Sequence, residues 1–209
     1  MVVVKEYSTA ELNIKPVQAV PFTPEAFAPF GGLISPEHQL TEAQKESASA
    51  KNPGTPVKLA KIAPMTNNYA QAKSQKPAVA NWNLIRASPP KLTPSTTTKG
   101  KSDFQFKILE RHPYTTQAFA PMGIDSKLDA YLVIVAPTAT DGLPDYNKVA
   151  AFVCKGNQAV TYGVNVWHAP IVALGDHDHV DFAVQIYSNG VAEEDVLEVK
   201  YNPGITIEL

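Results

Sequence analysis

Proline sets the first limit on this chain. Eighteen prolines are scattered along 209 residues rather than gathered in one linker. Each removes a backbone donor and clashes with a continuing helix, so long helices are excluded over most of the length. What remains are short apolar runs separated by turn residues, the pattern of a sandwich or barrel rather than of alternating βαβ units. The period-two run at 104–110 (Phe-Gln-Phe-Lys-Ile-Leu-Glu) is the clearest strand. Runs at 80–87, 150–154, 158–162, 171–174 and 180–187 read the same way. Residues 130–136 are apolar throughout, as in a strand buried on both faces. The polar stretches 63–80 and 88–102 read as long loops. Helix signals are confined to the N-terminal part: Thr23 caps Pro24-Glu25-Ala26-Phe27, and 40–51 reads as a weak surface helix. The expectation is a mainly β single domain over 1–209. Its N-terminal segment, about 1–56, lays short helices on the barrel.

Composition narrows the function classes. A formal net charge of −2 and a pI near 6.2 give no basic face for nucleic acid. No apolar run reaches the roughly 20 residues of a spanning helix, and Lys5 and Glu6 interrupt the opening Met1-Val-Val-Val, so neither a membrane nor a signal core is expected. A single cysteine, Cys154, excludes an internal disulfide and fits a reducing, cytoplasmic compartment. It lies in an apolar strand and reads as an inert core thiol.

Two of the five histidines stand in strand-flanking, mostly uncharged settings. In Leu109-Glu110-Arg111-His112-Pro113, an extended backbone puts Glu110 and His112 on one face and Arg111 on the other. Pro113 bends the chain, so Gln117 can return to the first face from the next strand. His168 follows Trp167 at the entrance to the strand at 171–174, downstream of Tyr162 and Gly163. The run Gly175-Asp176-His177-Asp178-His179 contains metal donors, but its place between two strands favours a solvated hairpin loop.

The spacing Glu110-x-His112-x4-Gln117, with a later His168, resembles the paired metal-binding motifs of cupin barrels, so a cupin-like β-barrel or jelly roll with a few short helices is expected. Glu110 and Gln117 stand where cupins carry a His and a Glu, which makes the metal set atypical. A narrower resemblance covers most of the chain. Leu109-Glu-Arg-His-Pro-Tyr-Thr-Thr-Gln-Ala-Phe-Ala-Pro-Met, Tyr131-Leu-Val-Ile-Val-Ala-Pro and Val164-Asn-Val-Trp-His-Ala-Pro resemble successive blocks of the ureidoglycolate lyases. Phe22-Thr-Pro-Glu-Ala-Phe resembles that family's opening segment. Asn52-Pro-Gly-Thr55, followed by Lys58, resembles another of its segments, and Arg86 matches a family arginine.

The resemblance implies cleavage of (S)-ureidoglycolate, a small-molecule substrate, to glyoxylate and urea in allantoin degradation, by a homodimer. The chemistry assigns His112 and His168 to acid–base work, with Glu110 as base or orienting group and Gln117 holding the ureido group or hydroxyl. Arg86 and Lys58 are the candidates for the substrate carboxylate, Tyr162 for a hydroxyl contact and Trp167 for a wall excluding water. No cofactor is obligatory in this reading. A divalent metal at Glu110, His112, Gln117 and His168 is the open alternative. It would suit another cupin enzyme, an aminohydrolase or dioxygenase. A non-catalytic cupin binding a small carboxylate is the third reading.

Overall fold

The computed structural model describes residues 2–12, 14–40 and 58–209. The fold is mainly β, as expected, with only short helices. One sheet runs through β1 (Val2–Ser8), β14 (Leu197–Glu208), β2 (Val17–Pro21), β9 (Ala150–Lys155), β8 (Asp129–Ala136), β11 (Trp167–His168), β6 (Ser102–Arg111) and β5 (Thr93–Pro94), with β12 (Val172–Ala173) added beside β8. Because β6 also pairs β14, the six strands β14, β2, β9, β8, β11 and β6 close into a barrel. A second sheet has the order β3 (Gly31–Ile34), β10 (Ala159–Tyr162), β7 (Gln117–Met122), β13 (Val180–Ser188) and β4 (Val79–Ala87).

Two apolar compartments follow from this arrangement. The closed ring is filled by Phe106, Leu109, Leu132, Ile134, Trp167, Val199 and their neighbours. The space between the ring and the five-stranded sheet is filled by Phe119, Tyr131, Val133, Val135, Phe152, Val160 and Phe182, among others. β8 divides its side chains between the two compartments. Leu132 and Ile134 enter the ring, and Tyr131, Val133 and Val135 enter the inter-sheet layer. Alternation across a strand buried on both faces produces this directly, which is why 130–136 has no polar position.

The expected strands all form, although 171–174 shortens to the two residues of β12. Thr23 caps the helix Pro24–Phe27, its side chain accepting from the Ala26 N–H. The N-terminal part does more than lay helices on the barrel: β2 is a member of the ring, and β3 an edge of the second sheet. Helical backbone covers 36–40; the rest of the expected surface helix and the Asn52–Thr55 segment lie outside the described residues. The loop 63–80 includes a 3-10 turn at Tyr69–Gln71. β14, the longest strand, is the main element that sequence reading missed. Its Asn202-Pro203-Gly204 reads as a turn, yet the strand absorbs it in a register shift between Lys200 and Ile205 against β6. No described helix is long and apolar enough to cross a membrane.

Candidate active site

The end of β6 carries Leu109 into the ring, and alternation then turns Glu110 outward, Arg111 inward and His112 outward. Arg111 accordingly stacks its guanidinium 4.6 Å from the Trp167 ring centroid inside the closed ring. β11 pairs between β6 and β8, and its register sets His168 opposite Glu110. His168 therefore faces the inter-sheet layer, while Trp167, one residue earlier, faces the ring. The turn before it contains Asn165 at φ +65°, a left-handed position that asparagine tolerates better than most residues. The Asn165 N–H donates to the His112 carbonyl, tying this turn to the end of β6.

Both imidazoles are fixed in one tautomer by backbone carbonyls. His112 Nδ1 lies 2.6 Å from the Asp195 carbonyl oxygen, and His168 Nδ1 lies 3.0 Å from that of Val166. A carbonyl only accepts, so each Nδ1 carries the proton and each Nε2 offers a lone pair. The rings sit 5.5 Å apart between centroids, and one donor atom from each of Glu110, His112 and His168 falls within 4.8 Å of the others. His112 Nε2 is buried and has no hydrogen-bond partner. Gln117 Oε1, on β7 of the facing sheet, lies 3.1 Å from His168 Nε2. Placed so, oxygen and nitrogen would both face one cation; with the amide turned over, its NH2 would donate to Nε2. Tyr162 stacks on the His168 ring at 4.0 Å, and its buried hydroxyl has no partner among the described residues.

Burial governs the protonation of this cluster. His168, 2% exposed, is pushed down to about 3, first by loss of water and second by His112 beside it. Burial also lowers His112. Glu110 is pushed up to about 7, first by burial and then by Glu198, its register partner on β14. His168 Nε2 and the Glu110 carboxylate are 3.6 Å apart. Since burial drives both toward their uncharged forms, this is a contact of neutral groups between about pH 3 and pH 7, not a salt bridge.

The structure thus brings Glu110, His112, Gln117, Tyr162 and His168 together. Arg86 is not among them. It makes two 2.8 Å hydrogen bonds to Asp181 on the outer side of β4 and β13. Asp181 pairs with Met122, whereas Gln117 pairs with Ile186, five residues along β13. At roughly 3.4 Å per residue that places Arg86 about 17 Å away along the strand direction. Trp167 cannot wall the pocket, because alternation along β11 sends it into the ring. Lys58 is exposed and makes no hydrogen bond or ion pair among the described residues. It begins the stretch that runs to Thr66 and Asn67, which bond to Thr116 and bridge to Thr115, next to Gln117.

Three contributors carried no reading in the sequence. The carbonyls of Asp195 and Val166 have no side-chain signature, and Glu198 sits in an ordinary alternating run. Asp195 is held by its side chain, which accepts from Tyr69 Oη and from the backbone N–H groups of Asn189 and Gly190, each at 2.8 Å. Beside it the buried Glu194 accepts from Ser74 and Asn189. The run Gly175–His179 contributes to no metal-ligating cluster among the described residues. Cys154 is fully buried, and burial pushes its thiol well above the usual range.

The donor set fits a divalent ion as well as a proton-transfer site: two neutral imidazole Nε2 atoms and a carboxylate, with an amide oxygen adjacent. Their Nδ1–H groups are braced by carbonyls, as metal-ligating histidines usually are.

Comparison with known proteins agrees with the blocks read in the sequence. A family model described as ureidoglycolate lyase matches residues 14–208. The ureidoglycolate lyase of Schizosaccharomyces pombe is 41% identical over 88% of this chain and 91% of its own length. That of Saccharomyces cerevisiae is 39% identical over 90% and 95%. That of Burkholderia mallei is 34% identical over 78% of each.

Proposed function

Since this chain belongs to the ureidoglycolate lyase family, we propose that it is a lyase cleaving (S)-ureidoglycolate to glyoxylate and urea at the two-histidine pocket between its sheets. The reaction needs a base to take the carbinol hydroxyl proton. The electron pair left on oxygen then forms the glyoxylate carbonyl, the C–N bond breaks with its pair leaving on nitrogen, and that urea nitrogen gains a proton. The observation that carries the assignment is the buried cluster of His112, His168 and Glu110, whose donor atoms lie within 4.8 Å of one another while both Nδ1 atoms are engaged by backbone carbonyls.

In this reading a free Nε2 takes the hydroxyl proton, and the neighbouring groups return one to nitrogen. Gln117 and the Tyr162 hydroxyl hold the ureido and hydroxyl groups, and a dry pocket strengthens both contacts. Lys58, at the head of the stretch bordering Thr115 and Thr116, is the proposed partner of the substrate carboxylate. The 209-residue chain acts as one catalytic unit, in the cytoplasm as the lone buried cysteine suggests, as a homodimer and within allantoin breakdown.

A coupled assay for glyoxylate and urea tests this. His112→Asn and His168→Asn should each lower kcat/KM by about two to four orders of magnitude, the usual contribution of an acid–base group. Arg86→Ala should leave turnover unchanged. Failure of the wild type to exceed spontaneous decay would sink the reading.

The same donor set supports a second version. A divalent ion held by His112, His168 and the Glu110 carboxylate, with Gln117 adjacent, would supply Lewis-acid polarisation of the substrate's hydroxyl and carboxylate. Elemental analysis with activity measured after chelation separates the two. Full activity in the metal-free protein excludes the second version.

A further inference from the structure

We propose that a second copy of this chain docks on the free edge of β4, the two β4 strands pairing about a twofold axis near Asn83. This names the surface behind the homodimer proposed above and rests on that reading. β4 is nine residues long and, among the described residues, pairs with β13 alone, so the N–H and C=O groups along its other side have no strand partner there. Soluble proteins usually blunt such an edge with lysine, proline or a bulge. β4 carries none of these, and its register with β13 is unbroken over nine pairs.

Alternation decides what stands on the outer face. Ile85 and Ala87 pack toward the inter-sheet core, so Trp82, Leu84 and Arg86 turn the other way. Trp82 is 73% exposed and Leu84 67%. Their neighbours on this face are small: Ala183 lies between Leu84 and Ala120, and Met122, 43% exposed, closes the patch. Together these side chains leave on the order of 400 Å² of apolar surface in water, about half of the ~800 Å² that each partner contributes to a standard stable interface.

Charge points to the occupant. Across β4, β7 and β13 the only charged residues are Arg86 and Asp181, and they neutralise each other. A nucleic acid or anionic lipid surface finds no net charge to meet here, while two copies approach without repulsion. The strand is also self-complementary. Antiparallel pairing centred on Asn83 sets Trp82 of one copy opposite Leu84 of the other, twice by symmetry, an aromatic–aliphatic cross-strand pair of the kind that stabilises sheets.

Sedimentation velocity over a concentration series, on wild type, Trp82→Lys and Leu84→Lys, tests the surface, with far-UV circular dichroism to verify folding. Wild type should sediment as a dimer and both variants as folded monomers. Because Cys154 is fully buried, Asn83→Cys introduces a single accessible thiol, and mild oxidation should join two chains covalently. A wild type that stays monomeric overturns both the homodimer and this surface. A dimer that survives both lysines and leaves Asn83→Cys unjoined overturns this surface alone and leaves the homodimer standing.

Discussion

A proton on His168, which is 2% exposed, would sit out of reach of water and beside a second imidazole, a cost that the Val166 carbonyl offsets only in part. The folded state therefore keeps this ring neutral down to about pH 3, while an unfolded chain protonates it below its ordinary value of 6.5. The sign follows from proton uptake. Stability from the neutral ring is complete above 6.5 and is lost progressively as pH falls toward 3. Between pH 7 and pH 5 the loss attributable to His168 is about 2 kcal/mol, at 1.36 kcal/mol per pH unit below 6.5. Glu110 acts in the opposite sense. Held protonated up to about 7 against an ordinary 4.5, it adds stability as pH falls from 7 through 4.5, so the bare wild-type curve mixes the two. Urea titrations of wild type and His168→Asn at pH 7 and pH 5 separate them. The wild type should lose about 2 kcal/mol relative to the variant on acidification. A difference independent of pH would mean that the ring takes up its proton in the fold as readily as in the unfolded chain.

The turn at Ala192–Asp195 acts on the site only through its backbone. Its Asp195 carbonyl fixes the His112 tautomer, and the Tyr69 hydroxyl braces it by donating to the Asp195 carboxylate at 2.8 Å. Tyr69→Phe removes that bond in a side chain only 1% exposed. The expected cost is about 1–2 kcal/mol, read from the urea midpoint. If the brace orients His112, kcat should fall while KM holds, and Tyr69→Leu should fare worse than Tyr69→Phe. Equal kcat for Phe and wild type would leave Tyr69 a stability residue only. This layer is also where the sequence was least legible. Glu110 and His112 could be placed on one face because alternation depends on local pattern, and His168 joined them only through the family resemblance. The atoms that orient them could not, since a carbonyl carries no residue signature and Glu193-Glu194-Asp195 reads as solvated charge. Arg86 lies apart from the cluster for a related reason. An arginine closing an apolar strand looks like a site residue, but its cross-strand neighbour Asp181, 95 positions away, supplies a fork partner outside the core. β14 was missed because Asn-Pro-Gly is turn chemistry that only its pairing with β6 overrides.

At the scale of the molecule, one strand joins both compartments. β8 sends Leu132 and Ile134 into the ring and Tyr131, Val133 and Val135 into the inter-sheet layer that holds the histidines. β9 does the same with Ala151 in the ring and Phe152 and Cys154 in the layer. Neither compartment can open without exposing the other face of these strands, so the ring and the site-bearing layer should unfold as one unit. The two tryptophans permit the test. Trp167 is fully buried in the ring, and Trp82 lies exposed on the five-stranded sheet. In Trp82→Phe, emission from Trp167 reports the ring alone, while activity reports the inter-sheet layer. Their urea midpoints should coincide. Leu132→Ala, which empties space only in the ring, should cost about 2–5 kcal/mol and move both midpoints by the same amount, leaving kcat of the folded fraction unchanged. If ring fluorescence shifts while activity keeps its original midpoint, the compartments are separate folding units, and the histidine pocket owes its rigidity to the five-stranded sheet rather than to the closed barrel.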